Sequence, residues 1–318
     1  MSFGDTVLRA AGLLLMLAAL AFAAGKAPDR PLDSLLPRWA PPPSDFLELD
    51  GQLVHVRDQG PASDPLPLVL IHGTSASLHT WEGWAGELAR TRRVISFDLP
   101  GFGLTGPSAD GDYRDVRYVA FVRALLARLG VGRAIVAGNS LGGGIAWQLA
   151  LADPARVAGL VLVDAAGHQA EPEAEAVPLV WRLARLPVLR EGLRWVLPRR
   201  AVEDGVRSVY GDPGRVDAAL VDRYYELALR EGNRAALMRR LDQLAPGPVA
   251  RLGEIRVPTL ILWGGRDRLI PPRWAQAFHQ ALPGSRLVVF PQLGHVPQEE
   301  DPAATLAALR GWLPEVAR

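Results

Sequence analysis

Gly138-Asn139-Ser140-Leu141-Gly142 sets a serine between two glycines, where the apolar run Ala134 to Ala137 gives way to a helix-like run from Gly143. A sharp strand-to-helix turn leaves no room for side chains beside the serine, lifts its hydroxyl clear of the backbone, and aims the amides of the new helix at negative charge. That is the setting of a nucleophile. Serine at its own pKa attacks poorly and needs a positioned base. Of the six histidines, His295 stands in Leu293-Gly294-His295, on a loop just beyond the last strand-like run, from which it can reach Ser140. His279 lies within a helical pattern and His55 in an early strand, so both suit structural or solvent-facing roles. The base in turn needs a carboxylate to fix its tautomer and stabilise the imidazolium. Asp267, in Gly264-Gly265-Arg266-Asp267, fits the chain order serine, acid, histidine; Asp164, which ends the preceding strand, is the rival. His72-Gly73-Thr74 closes another strand, and there the Thr74 amide can join the Leu141 amide to hold a developing oxyanion. His72 reads as a residue that shapes this loop, with hydroxyls on Thr74, Ser75 and Ser77 as further donors.

The surrounding segments show how such residues could converge. Phe46 to Leu49 and Val54 to Arg57 flank Asp50-Gly51, a strong hairpin signal. Leu66 to Ile71, Val94 to Phe97, Ala134 to Ala137, Leu160 to Val163, Leu260 to Trp263 and Leu287 to Phe290 are short apolar runs suited to strands buried on both faces. Helical stretches separate them. This alternation predicts an α/β fold, a mostly parallel central sheet flanked by helices. Residues 45–167 and 252–318 form its core, and 168–251, without a convincing strand, read as a helical cap inserted between two strands.

The amino terminus differs. Ala10 to Ala24 is uncharged and apolar, short for a membrane span of ~20 residues but suited to a secretory signal. Residues 1–26 are therefore expected to be an export signal or membrane anchor, placing the enzyme on the periplasmic side. Residues 27–44, rich in proline, read as a stiff linker that holds the body off the membrane. In the cap, Leu179 to Arg200 mixes tryptophan, leucine and valine with six arginines. That suits either a packed amphipathic helix or a surface that meets lipid, and an apolar cap interior implies a hydrophobic acyl or aromatic substrate.

Composition removes other chemistries. The 318 residues contain no cysteine, which excludes a thiolate metal site and a cysteine nucleophile. Basic and acidic residues balance at 35 and 34, so the electrostatic footprint of a nucleic-acid binder is missing. Lys26 is the only lysine and sits outside the core, which rules out a Schiff-base or Walker-type lysine. Gly101-Phe102-Gly103 lacks the full dinucleotide pattern. No cofactor and no metal are expected, and the oligomeric state is left open.

Five landmarks in order are similar to the α/β-hydrolase superfamily: Leu70-Ile71-His72-Gly73, Asp98 to Gly103, Gly138 to Gly143, Trp263 to Asp267, and Gly294-His295. The resemblance covers about Phe46 to Leu313. It implies Ser140 as nucleophile, Asp267 as acid, His295 as base, and oxyanion amides from Thr74 and Leu141. Gly-Asn-Ser-Leu-Gly-Gly is similar to the nucleophile turn of hydrolases that cleave carbon–carbon bonds in ring-fission products. Thr74-Ser75-Ala76-Ser77, however, resembles carboxylesterases more than the glycine- and proline-rich loop of those enzymes. The expectation is thus a serine esterase, with carbon–carbon hydrolysis as the alternative. A binding protein on this scaffold usually lacks a triad residue, and a serine at 140 disfavours the relatives that use an aspartate nucleophile.

Overall fold

The computed structural model describes residues 25–167 and 195–316, together with Arg9, Gly12, Leu13, Met16 and Ala23. Eight strands make one sheet: β1 (Asp45–Leu49), β2 (Gln52–Gln59), β3 (Leu68–Ile71), β4 (Val94–Phe97), β5 (Ala134–Asn139), β6 (Val157–Val163), β7 (Thr259–Gly264) and β8 (Arg286–Phe290). Their order is β1-β2-β4-β3-β5-β6-β7-β8. β2 is antiparallel to both neighbours, and every pairing from β4 to β8 is parallel. The β1–β2 turn places Asp50 and Gly51 at φ 52° and 79°. Two successive positive φ values match the twist of the flanking strands, as the Asp-Gly pair leads one to expect.

Ten α-helices and three short 3₁₀ helices accompany the sheet among the described residues, and the α-helices are numbered in chain order. They are α1 (Leu32–Trp39), α2 (Glu82–Leu88), α3 (Asp115–Arg128), α4 (Leu141–Ala152), α5 (Arg199–Val209), α6 (Ala218–Ala228), α7 (Asn233–Asp242), α8 (Arg273–Ala281), α9 (Pro297–Glu300) and α10 (Pro302–Val316). Strands β3 to β7 are buried throughout because helices cover both faces. Alternate side chains of β3 separate accordingly. Val69 and Ile71 join Phe121, Ile145 and Phe278 of α3, α4 and α8, whereas Leu68 and Leu70 join Trp84, Leu309 and Trp312 of α2 and α10. Each fully buried aliphatic side chain contributes about 1.5–3 kcal/mol. The two apolar layers therefore hold the strand ends in place.

Between β6 and β7 the described residues 195–251 carry α5, α6 and α7. The Trp- and Arg-rich segment lies outside the described residues up to Trp195, which is 59% exposed.

The proline-rich segment, read from the sequence as a stiff linker, packs against the body in the structure. Lys26 bridges to Val196, and Arg30 bridges to Arg230 just beyond α6. Leu35 and Trp39 pack with Leu104 and Leu227, Arg38 pairs with Asp222 and Glu226, and Asp29 pairs with Arg234. Leu35 and Trp39 are four residues apart, so they share one face of α1. Prolines on both sides mask that short apolar face in the sequence. The segment is a strap across the insertion.

Candidate active site

The parallel register brings the chemistry together. Gly138 pairs with Ile71, Asn139 with Val163, Val163 with Leu262, and Gly264 with Phe290. The residues that follow these strands, Gly73, Ser140, Asp164, Asp267 and His295, therefore emerge at one carboxyl edge.

Ser140 joins β5 to α4 with φ 53° and ψ −118°. A side chain rarely adopts that conformation, and it persists only where the surroundings enforce it. Here the Ser140 amide donates to the Val163 carbonyl at 3.0 Å, and the Ser140 carbonyl accepts from Ala166 at 2.9 Å and Gly144 at 3.0 Å. Gly142 explains the second glycine of the motif: a Cβ there would lie 2.1 Å from the Ile71 carbonyl oxygen. The end of β3 thus rests directly on the first turn of α4. That contact sets Gly73 beside the turn, where an added Cβ would stand 3.1 Å from the Ser140 Cβ. Thr74 follows Gly73, and Leu141 opens α4, where first-turn amides have no partner within the helix. Leu141 thus adjoins Ser140, and Thr74 follows the glycine that abuts it.

His295 and Asp267 are both buried, and His295 Nδ1 lies 2.7 Å from Asp267 Oδ2. The other Asp267 oxygen accepts from the Leu269 and Ile270 amides at 2.8 and 2.9 Å. Asn139, next to Ser140, donates its side-chain amide to the His295 carbonyl at 2.9 Å, and the His295 amide donates to Val209 of α5 at 2.7 Å. His295 is thereby tied to the Ser140 turn on one side and to the insertion on the other. Glu300 strengthens that tie, a role its sequence context did not signal. One of its carboxylate oxygens accepts from both Gly294 and Gly211, and the other accepts from Asp212.

Asp164 is the rival acid in sequence, and it too is in the site. It is fully buried at φ 44°, and one oxygen accepts from the Gly264 amide at 2.9 Å. One donor atom each from Asp164, Asp267 and His295 lies within 4.8 Å of the others. Such a set could formally ligate a cation, but Nδ1 of His295 is already committed to Asp267. Burial and the Asp267 carboxylate push the Asp164 carboxyl well above the ordinary carboxylate range.

The remaining histidines are placed by other bonds. His72 Nδ1 donates to the Gly73 carbonyl at 2.7 Å and Nε2 accepts from the Leu99 amide at 2.9 Å, so the ring braces the loop before Thr74. Burial lowers its pKa. His279 on α8 bonds Ser285 beyond the helix end, and His168 lies outside the described residues. His55 belongs to an unexpected arrangement in which Nε2 is 2.9 Å from the Ser44 hydroxyl oxygen and Nδ1 is 2.7 Å from Asp98. Its atoms follow the order of a catalytic relay. Ser44 is also held by Arg57, and Asp98 also accepts from the Leu78 and Leu104 amides, so these groups pin the sheet edge. Burial opposes ionisation of Asp98, but the three histidines His55, His72 and His79 hold its carboxyl below the usual range.

Known proteins agree with this architecture. A 2-hydroxymuconate semialdehyde hydrolase of Pseudomonas sp. strain CF600 is 32% identical over 256 residues, covering 77% of this chain and 85% of its own. The crystal structure of a membrane phospholipase A, described as a bacterial virulence factor, superposes with a TM-score of 0.75 at 26% identity, covering 98% of this chain and 96% of its own. A thermophilic esterase from Thermogutta terrifontis gives a TM-score of 0.69 at 26% identity, with 86% and 98% covered. The model of the alpha/beta hydrolase fold family matches residues 67–302, and the chain belongs to that family.

Proposed function

We propose that the protein is a serine hydrolase that cleaves carboxylic esters of hydrophobic acyl or aromatic substrates through an acyl-enzyme. The observation that carries this reading is the buried His295–Asp267 pair tethered through Asn139 to the strained turn of Ser140. Ser140 attacks the ester carbonyl while His295 Nε2 takes its proton, and the Thr74 and Leu141 amides receive the negative charge on the carbonyl oxygen. His295 then returns the proton to the departing alcohol. Water repeats the sequence to release the acid. Each oxyanion donor of this kind is worth ~10²–10³ in turnover. A fluorophosphonate probe should label wild-type protein on Ser140, and Ser140→Ala should take no label and hydrolyse no p-nitrophenyl ester. Esterase activity surviving in a contamination-free Ser140→Ala preparation sinks the assignment.

A carbon–carbon hydrolase acting on ring-fission diketones is the second reading, favoured by the semialdehyde hydrolase relative. A muconate-type substrate carries a carboxylate and calls for an uncompensated cation. Arg223 lines the small pocket formed by Ser75, Ser77, Thr80, Tyr224 and Leu227, and Arg234 lines the pocket next to it. Arg223 already faces Glu299 at 3.0 Å and Glu82 at 3.5 Å, whereas Arg234 pairs with Asp29 and keeps a buried Nη1 without a partner among the described residues. Steady-state rates on aryl esters and on a ring-fission product, measured side by side, separate the two.

We further propose that residues 1–26 bring the enzyme to a membrane and that the cap, which is the insertion between β6 and β7, takes substrate from that phase. Leu13 and Met16 are each 54% exposed, and the strap meets the insertion next to exposed Trp195. No described helix is long and apolar enough to cross a membrane.

A further inference from the structure

Asp164 has a geometry that a second carboxylate in the site cannot satisfy. Its Oδ1 accepts from Gly264, but its Oδ2 is fully buried and no group among the described residues donates to it. A carboxylate oxygen of Asp164 and one of Asp267 lie within 4.8 Å of each other, and Asp267 is an acceptor already serving His295, Leu269 and Ile270. Around Asp164 stand Asp267 from the loop after β7, Glu300 from α9, His295 from the loop after β8, and the neutral Asn139 side chain of β5, which bonds the Val163 and His295 carbonyls. The charged groups that disfavour its ionisation, Asp267 and Glu300, are both carboxyls, opposed by the single Gly264 amide. Two carboxylates sharing a buried site within 4.8 Å repel each other, which favours one of them keeping its proton. Asp267 accepts three hydrogen bonds, whereas Asp164 accepts one from a backbone amide, which puts the proton on Asp164.

We propose that Asp164 is a neutral carboxylic acid whose Oδ2–H donates to the Asp267 carboxylate, making it a positioning residue that sets the charge against which His295 works. The proposal rests on the triad reading above. Its backbone is consistent with a built feature, because φ 44° for an aspartate is maintained only where the surroundings require it. The Asp164 amide, bonded to the Leu262 carbonyl at 3.0 Å, fixes that bend at the end of β6. The direction of the Asp164 shift, upward through burial and Asp267, agrees with a retained proton.

The test compares pH profiles of kcat/KM on a soluble aryl ester for wild type, Asp164→Asn and Asp164→Ala, each normalised to the fraction labelled by a fluorophosphonate probe. Asparagine can accept from Gly264 and donate to Asp267 without a charge. That variant should rescue activity to within about threefold and leave the acid limb of the profile in place. Alanine removes the donor, so kcat should fall about tenfold with KM nearly constant. Its acid limb should move to higher pH, because Asp267 then stabilises the protonated base more strongly. If Asp164→Asn lowers the acid limb by about one pH unit or more, Asp164 carries a charge in the wild type and the proposal is overturned. An alanine variant with the wild-type profile overturns it equally, and if alanine prevents folding the asparagine profile decides alone. Wild-type protein that takes no label on Ser140 removes the triad reading and this proposal with it, whereas labelled wild type with the wrong asparagine profile removes only the proposal.

Discussion

Gly142→Ala tests whether the contact between β3 and α4 really places the oxyanion donors. The new Cβ would lie 2.1 Å from the Ile71 carbonyl oxygen and 2.7 Å from that of His72, against an ordinary contact of 3.4 Å or more. Both neighbours are backbone, so no side chain can swing aside. The end of β3 and the first turn of α4 must part by roughly 1 Å, and they carry Thr74 and Leu141. Displacements of about 1 Å cost ~10²-fold in well-oriented sites, and losing one oxyanion donor costs ~10²–10³. The expected fall in kcat for p-nitrophenyl butyrate is thus about 10²–10³-fold.

Stability should respond less. Overpacking of this kind costs about 1–3 kcal/mol, and for a domain of this size each kcal/mol lowers the melting temperature by about 2–4 °C. A drop of roughly 2–12 °C by circular dichroism would leave the protein folded at assay temperature, so the kinetic loss can be read by itself. Gly86→Ala in α2 serves as control, because its added Cβ meets nothing within 4 Å. It should gain up to ~1 kcal/mol of helix propensity and keep wild-type turnover. If Gly142→Ala retains kcat within a few-fold and melts like wild type, the strand and helix ends yield easily and the oxyanion assignment loses its structural basis.

Other expectations address the acid, a buried histidine, the strap and the membrane. Asp267→Asn should lower kcat by ~10⁴, by analogy with a serine protease, because the amide favours the wrong His295 tautomer; an Asp164→Asn variant losing far more would transfer the acid role to Asp164. Burial lowers the pKa of His79 to about 4 from 6.5, so the unfolded chain binds the extra proton first. Stability from this group is complete above pH 6.5 and declines by up to ~3 kcal/mol as pH falls toward 4; urea midpoints should show His79→Gln losing less over that window. Leu35→Ala removes a fully buried contact of α1, at a cost of about 2–5 kcal/mol, and should open the strap to limited proteolysis between Pro31 and Ser44; unchanged melting and cleavage would show that the strap contributes nothing. Full-length protein should bind anionic vesicles, and a chain beginning at Gly25, which keeps the strap, should bind only weakly and in a salt-sensitive way. Full-length protein recovered as soluble cytosol with its N-terminus intact refutes the targeting proposal.

What was legible in the sequence was whatever local pattern encodes. Continuous apolar runs marked strands buried on both faces, and Gly138 to Gly142 marked a turn whose glycines each answer a specific close approach. Chain order was enough to put Ser140, Asp267 and His295 at the edge of one sheet, because parallel strands deliver their carboxyl ends to the same side. Contacts between distant residues left no such pattern. Glu300 reads as the start of a helix, yet its carboxylate joins the loop of His295 to Gly211 and Asp212, almost ninety positions away in sequence. The bond from Ser44 to His55 crosses a hairpin, and the grip of Leu35 on Leu227 spans most of the chain. Asp164 shows the same boundary most sharply. Order along the chain makes it a competitor of Asp267, since each follows a strand and only one acid is needed. The pairing of Val163 with Leu262 makes β6 and β7 neighbours, so the two carboxyls come to one place. There the question changes from which residue is the acid to which residue keeps the proton.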